Sequence, residues 1–564
     1  MKFSDMPYMR QTPEDFGPKM ADLTRCIQEA GTAAEALDAF WAHQSLSDQL
    51  GAMIALAHAR FTLDTEDDYY SAENDYYDEV SPQFVEMRQA FCKALVASRH
   101  RAALEDRLGS LLFLNMEIDL RAFSPEIMPE LQEENRLTTA YVKLLSSAVI
   151  HFDGKTLNLS QMAPYEQSPD RSIRRAACEA KAAFFMEHAD QLDDIFDNLV
   201  HIRDKMSKTL GFGTFVELGY CRMGRNCYTP KDVEAFRLQV KEKAVPLAAR
   251  LKAAQAARIG VETLAVFDDP LLFPDGNARP QGAPEDIFAH GRKMYQELSP
   301  QTAEFFDFMM ANDLFDVLSR PGKAPGGYCT YFPLYKSPFI FANFNGTAHD
   351  IDVLTHEAGH ALAAYIARDM EIGELRNPTM DACEIHSMSM EFFTWPWMEG
   401  FFGAQTEKYR LGHLSGALCF LPYGAMVDEY QHIVYQTPAL TPKERREAWL
   451  SLEREYRPWL SLDGAPDFYR EGGRWQAQTH IYEVPFYYID YCLAQTAALA
   501  FWSDAQTDRA EAWEKYMKLV SLAGRRTFTE LLAEAGLPSP FGGKMLTDVT
   551  GAAGKWIVKN YKEN

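Results

Sequence analysis

Between about Thr32 and Lys205, apolar residues recur at steps of three and four, as in AAEALDAFWAHQSLSDQLGAMIALAHARF and RRAACEAKAAFFMEHADQLDDIFDNLVHIRDKM. That period predicts an array of amphipathic helices. One interruption, FDGKTLNLSQM at 152–162, pairs an Asp-Gly turn with alternating leucines and predicts a small hairpin. Thr229 to Gly260 predicts another long helix, with Thr229 as N-cap and Gly260 as stop. Pro and Gly break the pattern at 212–215, 268–287 and 319–328, which predicts loops. After Gly326-Gly327 the period changes. YCTYF and FIFANF are short, aromatic runs and predict a β-hairpin. No repeat of fixed period is present, so a mainly α fold with a small sheet is expected.

The stretch LTHEAGHALAAY, Leu354 to Tyr365, carries candidate chemistry. On a helix His356 and His360 project from one face, one turn apart, and both imidazoles can reach one Zn²⁺. Glu357 lies on the flank of the pair, where a carboxylate reaches a metal-bound water without taking a coordination position. Leu354, Ala358, Ala361, Leu362 and Tyr365 form the apolar stripe, and Gly359 and Ala363 are small neighbours expected to leave room for substrate.

A catalytic zinc takes a third protein ligand. Downstream, NPTMDACEIHSMSMEFFTWPW predicts a second, mainly buried helix that starts near Asn377-Pro378-Thr379 and carries Glu384 among apolar residues. A carboxylate in such company must be paired, and Glu384 is the expected third ligand. Asp381 and Glu391 suit either a hydrogen bond to a ligating imidazole or plain helix-cap and surface positions. His386, on another face, reads as structural. Near the C-terminus, HIYEVPFYYIDYCLAQTAALAF places Pro485 in the first turn of a predicted helix, with Tyr488 and Tyr491 three apart and His480 in the loop before it. These three suit core packing or donation to an oxyanion.

Composition narrows the classes. The formal charge of −24 over 564 residues argues against a nucleic-acid partner. No window is long and apolar enough for a membrane helix, and MKFSDMPYMRQTPEDFG lacks a signal-peptide core, so a cytoplasmic location is expected. The nine cysteines are odd in number and scattered, which predicts reduced core thiols.

GGYCTYFPLYKSPFIFANFNGTAHDIDVLTHEAGHA, DACEIHSMSMEFF and HIYEVPFYYIDY together resemble the oligoendopeptidase F branch of the thimet oligopeptidase-like zinc metallopeptidases. The run from LSQMAPYEQSPDRSIRRAACEA to NLVHIRDKMSKTLGFGTFVELGY is similar to that family's N-terminal region, so the resemblance extends from about Leu137 onward. It implies a mainly helical zincin-type fold with a deep internal channel, an N-terminal helical region at 1–200 and a catalytic region at 201–564. It implies one Zn²⁺ per chain on His356, His360 and Glu384, Glu357 as general base, and His480, Tyr488 and Tyr491 at the substrate and oxyanion. Short peptides are the implied partners, with neither nucleic acid nor membrane. The resemblance leaves homo-oligomerisation open. The FIFANF strand, if it is a sheet edge, would pair with peptide backbone; otherwise it is an ordinary buried strand. Two other readings fit parts of the pattern: a zinc aminopeptidase using Glu374 as ligand, and a helical scaffold whose histidines are core residues.

Overall fold

A computed structural model describes residues 1–561 and is mainly helical, with three small sheets. Side chains of Thr12, Thr32 and Asp67 accept backbone N–H groups of Asp15, Glu35 and Tyr70, and so start the helices Pro13–Glu29, Ala33–Leu63 and Asp68–Val96. These helices, with Ser110–Arg121, enclose their own apolar cluster from Phe16 to Met116, which also takes in Leu375. A second, larger cluster runs through the rest of the chain and includes the stripe of the HExxH helix, His349–Ala367.

The hairpin expected near 152–162 pairs Ile150–Phe152 with Lys155–Leu157 across Asp153 and Gly154, both at positive φ. The long helix expected from Thr229 is interrupted. Pro230–Gln239 leads into a π-helical turn at Val240–Ala244 before Val245–Arg258 resumes. Pro246 has no N–H to give the preceding turn, which accounts for the widened loop there. All nine cysteines are free; Cys26 is exposed, not part of the core as expected.

The sheet beside the HExxH helix contains one strand that the alternation did not predict. Its order is Phe315–Leu318, Ser337–Phe344, Tyr328–Phe332, with the first pair parallel and the second antiparallel. FIFANF therefore lies at the centre of the sheet, paired on both sides, and cannot be its edge. The edge next to the site is YCTYF. The turn of the hairpin is Pro333–Lys336, with Lys336 at φ 48, so Gly326 and Gly327 stand at the opposite end from the tip.

Two helices pack against Met380–Phe393: the HExxH helix and the helix Tyr488–Ala505. Gly359 sets the first of these contacts. A Cβ at Gly359 would stand 2.6 Å from the His386 carbonyl oxygen and 2.6 Å from the Ser387 Cα. The glycine admits the neighbouring backbone and makes no room for substrate. Pro485 likewise differs from expectation: it precedes the helix, and Phe486 after it adopts φ 69.

Gly359→Ala is expected to lower the urea midpoint, with a loss of about 2 kcal/mol from overpacking. Gly416→Ala, in a helix where a Cβ meets nothing within 4 Å, is expected to raise the midpoint, with a gain of about 0.5 kcal/mol in stability. Equal shifts in the two variants would contradict the close approach at Gly359.

Candidate active site

The helix–helix contact at Gly359 brings Glu384 under the two histidines. Its Oε2 lies 3.1 Å from His356 Nε2 and 3.3 Å from His360 Nε2. One ligand atom from each residue falls within 4.8 Å of the others, the single such cluster among the described residues. Glu384 is 1 % exposed. Burial alone would raise its carboxyl, yet the imidazoles of His360 and His356 outweigh that and hold it well below the usual range.

Two of the three ligand candidates, His356 and Glu384, are oriented from behind. Glu391 Oε1 accepts from His356 Nδ1 at 2.7 Å, which turns Nε2 toward Glu384. Glu391 Oε2 meets His413 Nε2, also at 2.7 Å, while Trp395 Nε1–H donates to His413 Nδ1 at 3.1 Å. Indole is a donor only, so the proton of His413 sits on Nε2 and is given to Glu391. Burial works to raise Glu391, but His356 and His413 hold it at about 2. Asp381 makes no such contact; it accepts from Tyr228 at 2.7 Å and from the Ala382 N–H.

Glu384 Oε2 also accepts from Ser387 Oγ at 3.0 Å, and Oε1 accepts from the Tyr487 hydroxyl. Tyr487 was not singled out by the spacing argument, which favours Tyr488 and Tyr491. The signal was the Pro485-Phe486 break before the helix. Phe486 in its left-handed conformation costs about 1–3 kcal/mol. It is held by Gln431, which accepts its N–H at 2.8 Å, and by Arg225, which donates to its carbonyl at 2.5 Å. Gly219 leaves room for the ring, since a Cβ there would stand 2.5 Å from Phe486 Cδ2.

His480 and Tyr491 form a directional chain. Tyr423 donates to Gln478 Oε1 at 2.9 Å, so the Gln478 amide nitrogen faces His480 Nδ1, also at 2.9 Å. His480 must then carry its proton on Nε2, which donates to the Tyr491 oxygen at 3.1 Å. The hydroxyl proton of Tyr491 remains free for the adjacent cavity. Tyr488 sets its ring against His480, 5.0 Å between centroids, and against Tyr423 and Phe420, backing the chain. Burial pushes the His480 imidazole down to about 4. His386 is buried in the core with its own imidazole pushed down to about 3, the structural role expected for it.

The cavity beside these groups measures about 550 Å³ and is lined by His356, Glu357, Tyr491, His413, Phe420 and Phe273 among others. Glu357 is buried, and its Oε2 has no hydrogen-bond partner among the described residues. Burial raises its carboxyl. A carboxylate so placed accounts for itself if it faces a cation or a proton source. Two imidazole nitrogens and one carboxylate oxygen, with the flanking carboxylate unpartnered, suit zinc. Glu374, the alternative ligand, accepts from Gln44 at 2.6 Å and is not among these groups.

Residues 3–123 match the family model described as the Peptidase M3 N-terminal domain, and residues 300–548 match Peptidase family M3. The solved structure of Pz peptidase A with an inhibitor is 45 % identical over the whole of both chains, with a TM-score of 0.99. The chain belongs to peptidase family M3. An oligoendopeptidase F structure from Bacillus anthracis str. Ames is 44 % identical, covering 99 % of this chain and 98 % of that one, with a TM-score of 0.93. Oligopeptidase PepF of Bacillus subtilis (strain 168) is 20 % identical over 543 residues, 90 % of this chain and 78 % of that protein. This M3 peptidase thus resembles its family across nearly all its length. The likeness begins well before Leu137, in helices whose sequence pattern showed only amphipathicity. No helix among the described residues is long and apolar enough to cross a membrane.

Glu391→Gln is expected to weaken Zn²⁺ binding by about 10–100-fold in chelator competition, because a neutral amide replaces the anion behind His356; unchanged affinity would contradict that role. In NMR of labelled histidines, His480 is expected to remain the neutral Nε2–H tautomer from about pH 5 to 8, since burial lowers its pKa. A midpoint at the ordinary value of about 6.5 would contradict the buried chain.

Proposed function

We propose that this M3 peptidase is a zinc-dependent oligoendopeptidase that hydrolyses internal bonds of short unstructured peptides. The convergence of His356, His360 and Glu384 beside the unpartnered oxygen of Glu357 carries the reading. Zinc held by these three residues would supply Lewis acidity to a water molecule and to the scissile carbonyl.

The chain's own groups do the rest. Glu357 takes a proton from the attacking water and returns it to the leaving nitrogen, a task suited to a carboxyl raised by burial. Tyr491, its proton left free by His480, donates to the developing oxyanion. Tyr487 holds the outer oxygen of Glu384, so that Oε2 stays turned toward the histidines. We assign Tyr488 to the support of His480 and not to the oxyanion.

Substrate backbone would run along the edge strand Tyr328–Phe332, whose outer side has no strand partner among the described residues. The strand starts beside the general base: a Cβ on Gly327 would stand 3.6 Å from Glu357 Oε1. Pairing through main-chain groups demands an extended peptide and little of its side chains. The recessed histidines, about one-fifth exposed, favour short chains threaded into a channel over folded proteins. An aminopeptidase reading finds no support, because Glu374 is engaged by Gln44.

Glu357→Gln is expected to retain one zinc per chain by elemental analysis while hydrolysis of N-terminally blocked, internally quenched peptides falls by at least about 10³-fold. Retained turnover would sink the mechanism, and cleavage confined to peptides with a free amino terminus would sink the endopeptidase assignment.

A further inference from the structure

A second cavity of about 290 Å³ adjoins the catalytic one. Pro270 lines both, and the neighbours Glu166 and Gln167 line one each. Tyr423 stands in its wall and begins the chain that ends at Tyr491. The two spaces share the wall at Pro270, and a peptide passing that wall from the catalytic groups would reach the second within a few residues.

The charges around this space do not balance. Asp268 is shared by Arg171 and Arg174, each at 2.7 Å. Asp269 is shared by Lys252 at 2.7 Å and Arg457 at 2.8 Å. Glu453 takes Arg457 at 2.8 Å and holds Arg474 only at 3.7 Å. Lys181 has Glu166 at 3.1 Å. Cations thus outnumber carboxylates by two in this set, inside a chain whose formal charge is −24. Two donors stand ready in the cavity wall. Arg174 is 2 % exposed and its Nε has no partner. Arg474, about one-quarter exposed, rests over the Tyr423 ring at 5.4 Å, with Glu453 no nearer than 3.7 Å.

We propose that this cavity is a subsite for the C-terminal carboxylate of the substrate, with Arg474 as its principal donor and Arg174 and Lys181 supplying the surrounding field. A guanidinium fork matches a carboxylate in geometry, and partial enclosure strengthens the pairing. Such an anchor at a fixed reach from the catalytic groups sets how many residues follow the cleaved bond. The proposal rests on the peptidase reading above and extends it to one end of the substrate.

Two internally quenched peptides, identical except for a free carboxylate or an amide at the C-terminus, test it on the full-length zinc enzyme. The free acid is expected to show a KM about tenfold lower at similar kcat, one charge-assisted contact being worth about that factor. In Arg474→Met the ratio between the two peptides is expected to collapse toward one, and in Arg474→Lys to recover in part. Inorganic phosphate should compete with the acid and not with the amide. Equal KM values in the wild type, or an unchanged ratio in Arg474→Met, would overturn the subsite. So would phosphate competing equally with both peptides, which would mark a general anion site. The same pair is measured for binding to Glu357→Gln by calorimetry. If the wild type cleaves neither peptide, the peptidase reading fails, while the binding ratio still decides the subsite.

Discussion

Glu384 is a carboxylate with almost no contact with water, and a charge in that position persists only when its partners are fixed around it. The partners come from three directions. The HExxH helix brings two imidazoles, the helix carrying Glu384 brings the Ser387 hydroxyl, and the C-terminal segment brings Tyr487. Much of the helical packing serves this convergence. Gly359 admits the backbone of the middle helix, and the left-handed Phe486 swings Tyr487 inward.

The same logic extends outward from the donor atoms. Glu391 serves two histidines at once, and Trp395 behind His413 determines which nitrogen carries the proton. On the other side of the cavity, Tyr423, Gln478, His480 and Tyr491 pass donor character in one direction. Every member is a neutral group, so the polarity comes from hydrogen-bond bookkeeping and not from titration. The fold supplies long helices on which these side chains are stiffly held, and a short sheet whose edge strand starts beside Glu357.

The helical period, the HExxH spacing and the buried company of Glu384 were legible because each is local: a residue and its neighbours within a few turns. Glu391 was legible as a candidate for the same reason, while Asp381, equally plausible by spacing, turned out to face Tyr228. Tyr487 was not, because adjacent tyrosines differ only in direction, and direction depended on a positive φ at Phe486 that packing on Gly219 and hydrogen bonds from distant residues impose. His413 and Trp395 lie on separate elements with no shared spacing to the motif. The third strand, FDVL at 315–318, was too short to alternate visibly, and without it FIFANF could pass for an edge. Gly359 carried an opposite error: small size suggested space for substrate, whereas the space was already filled by a helix.

The chain through Gln478 has one further consequence. An amide presents an acceptor at one end and a donor at the other, so the sense of the whole array is stored as a single bit in one side chain. A glutamate in its place has nearly the same shape but accepts at both ends. It would draw the imidazole proton to Nδ1, leave Nε2 accepting, and turn the Tyr491 hydroxyl back toward the protein. Shape alone therefore does not define what position 478 must be; the asymmetry of the amide does.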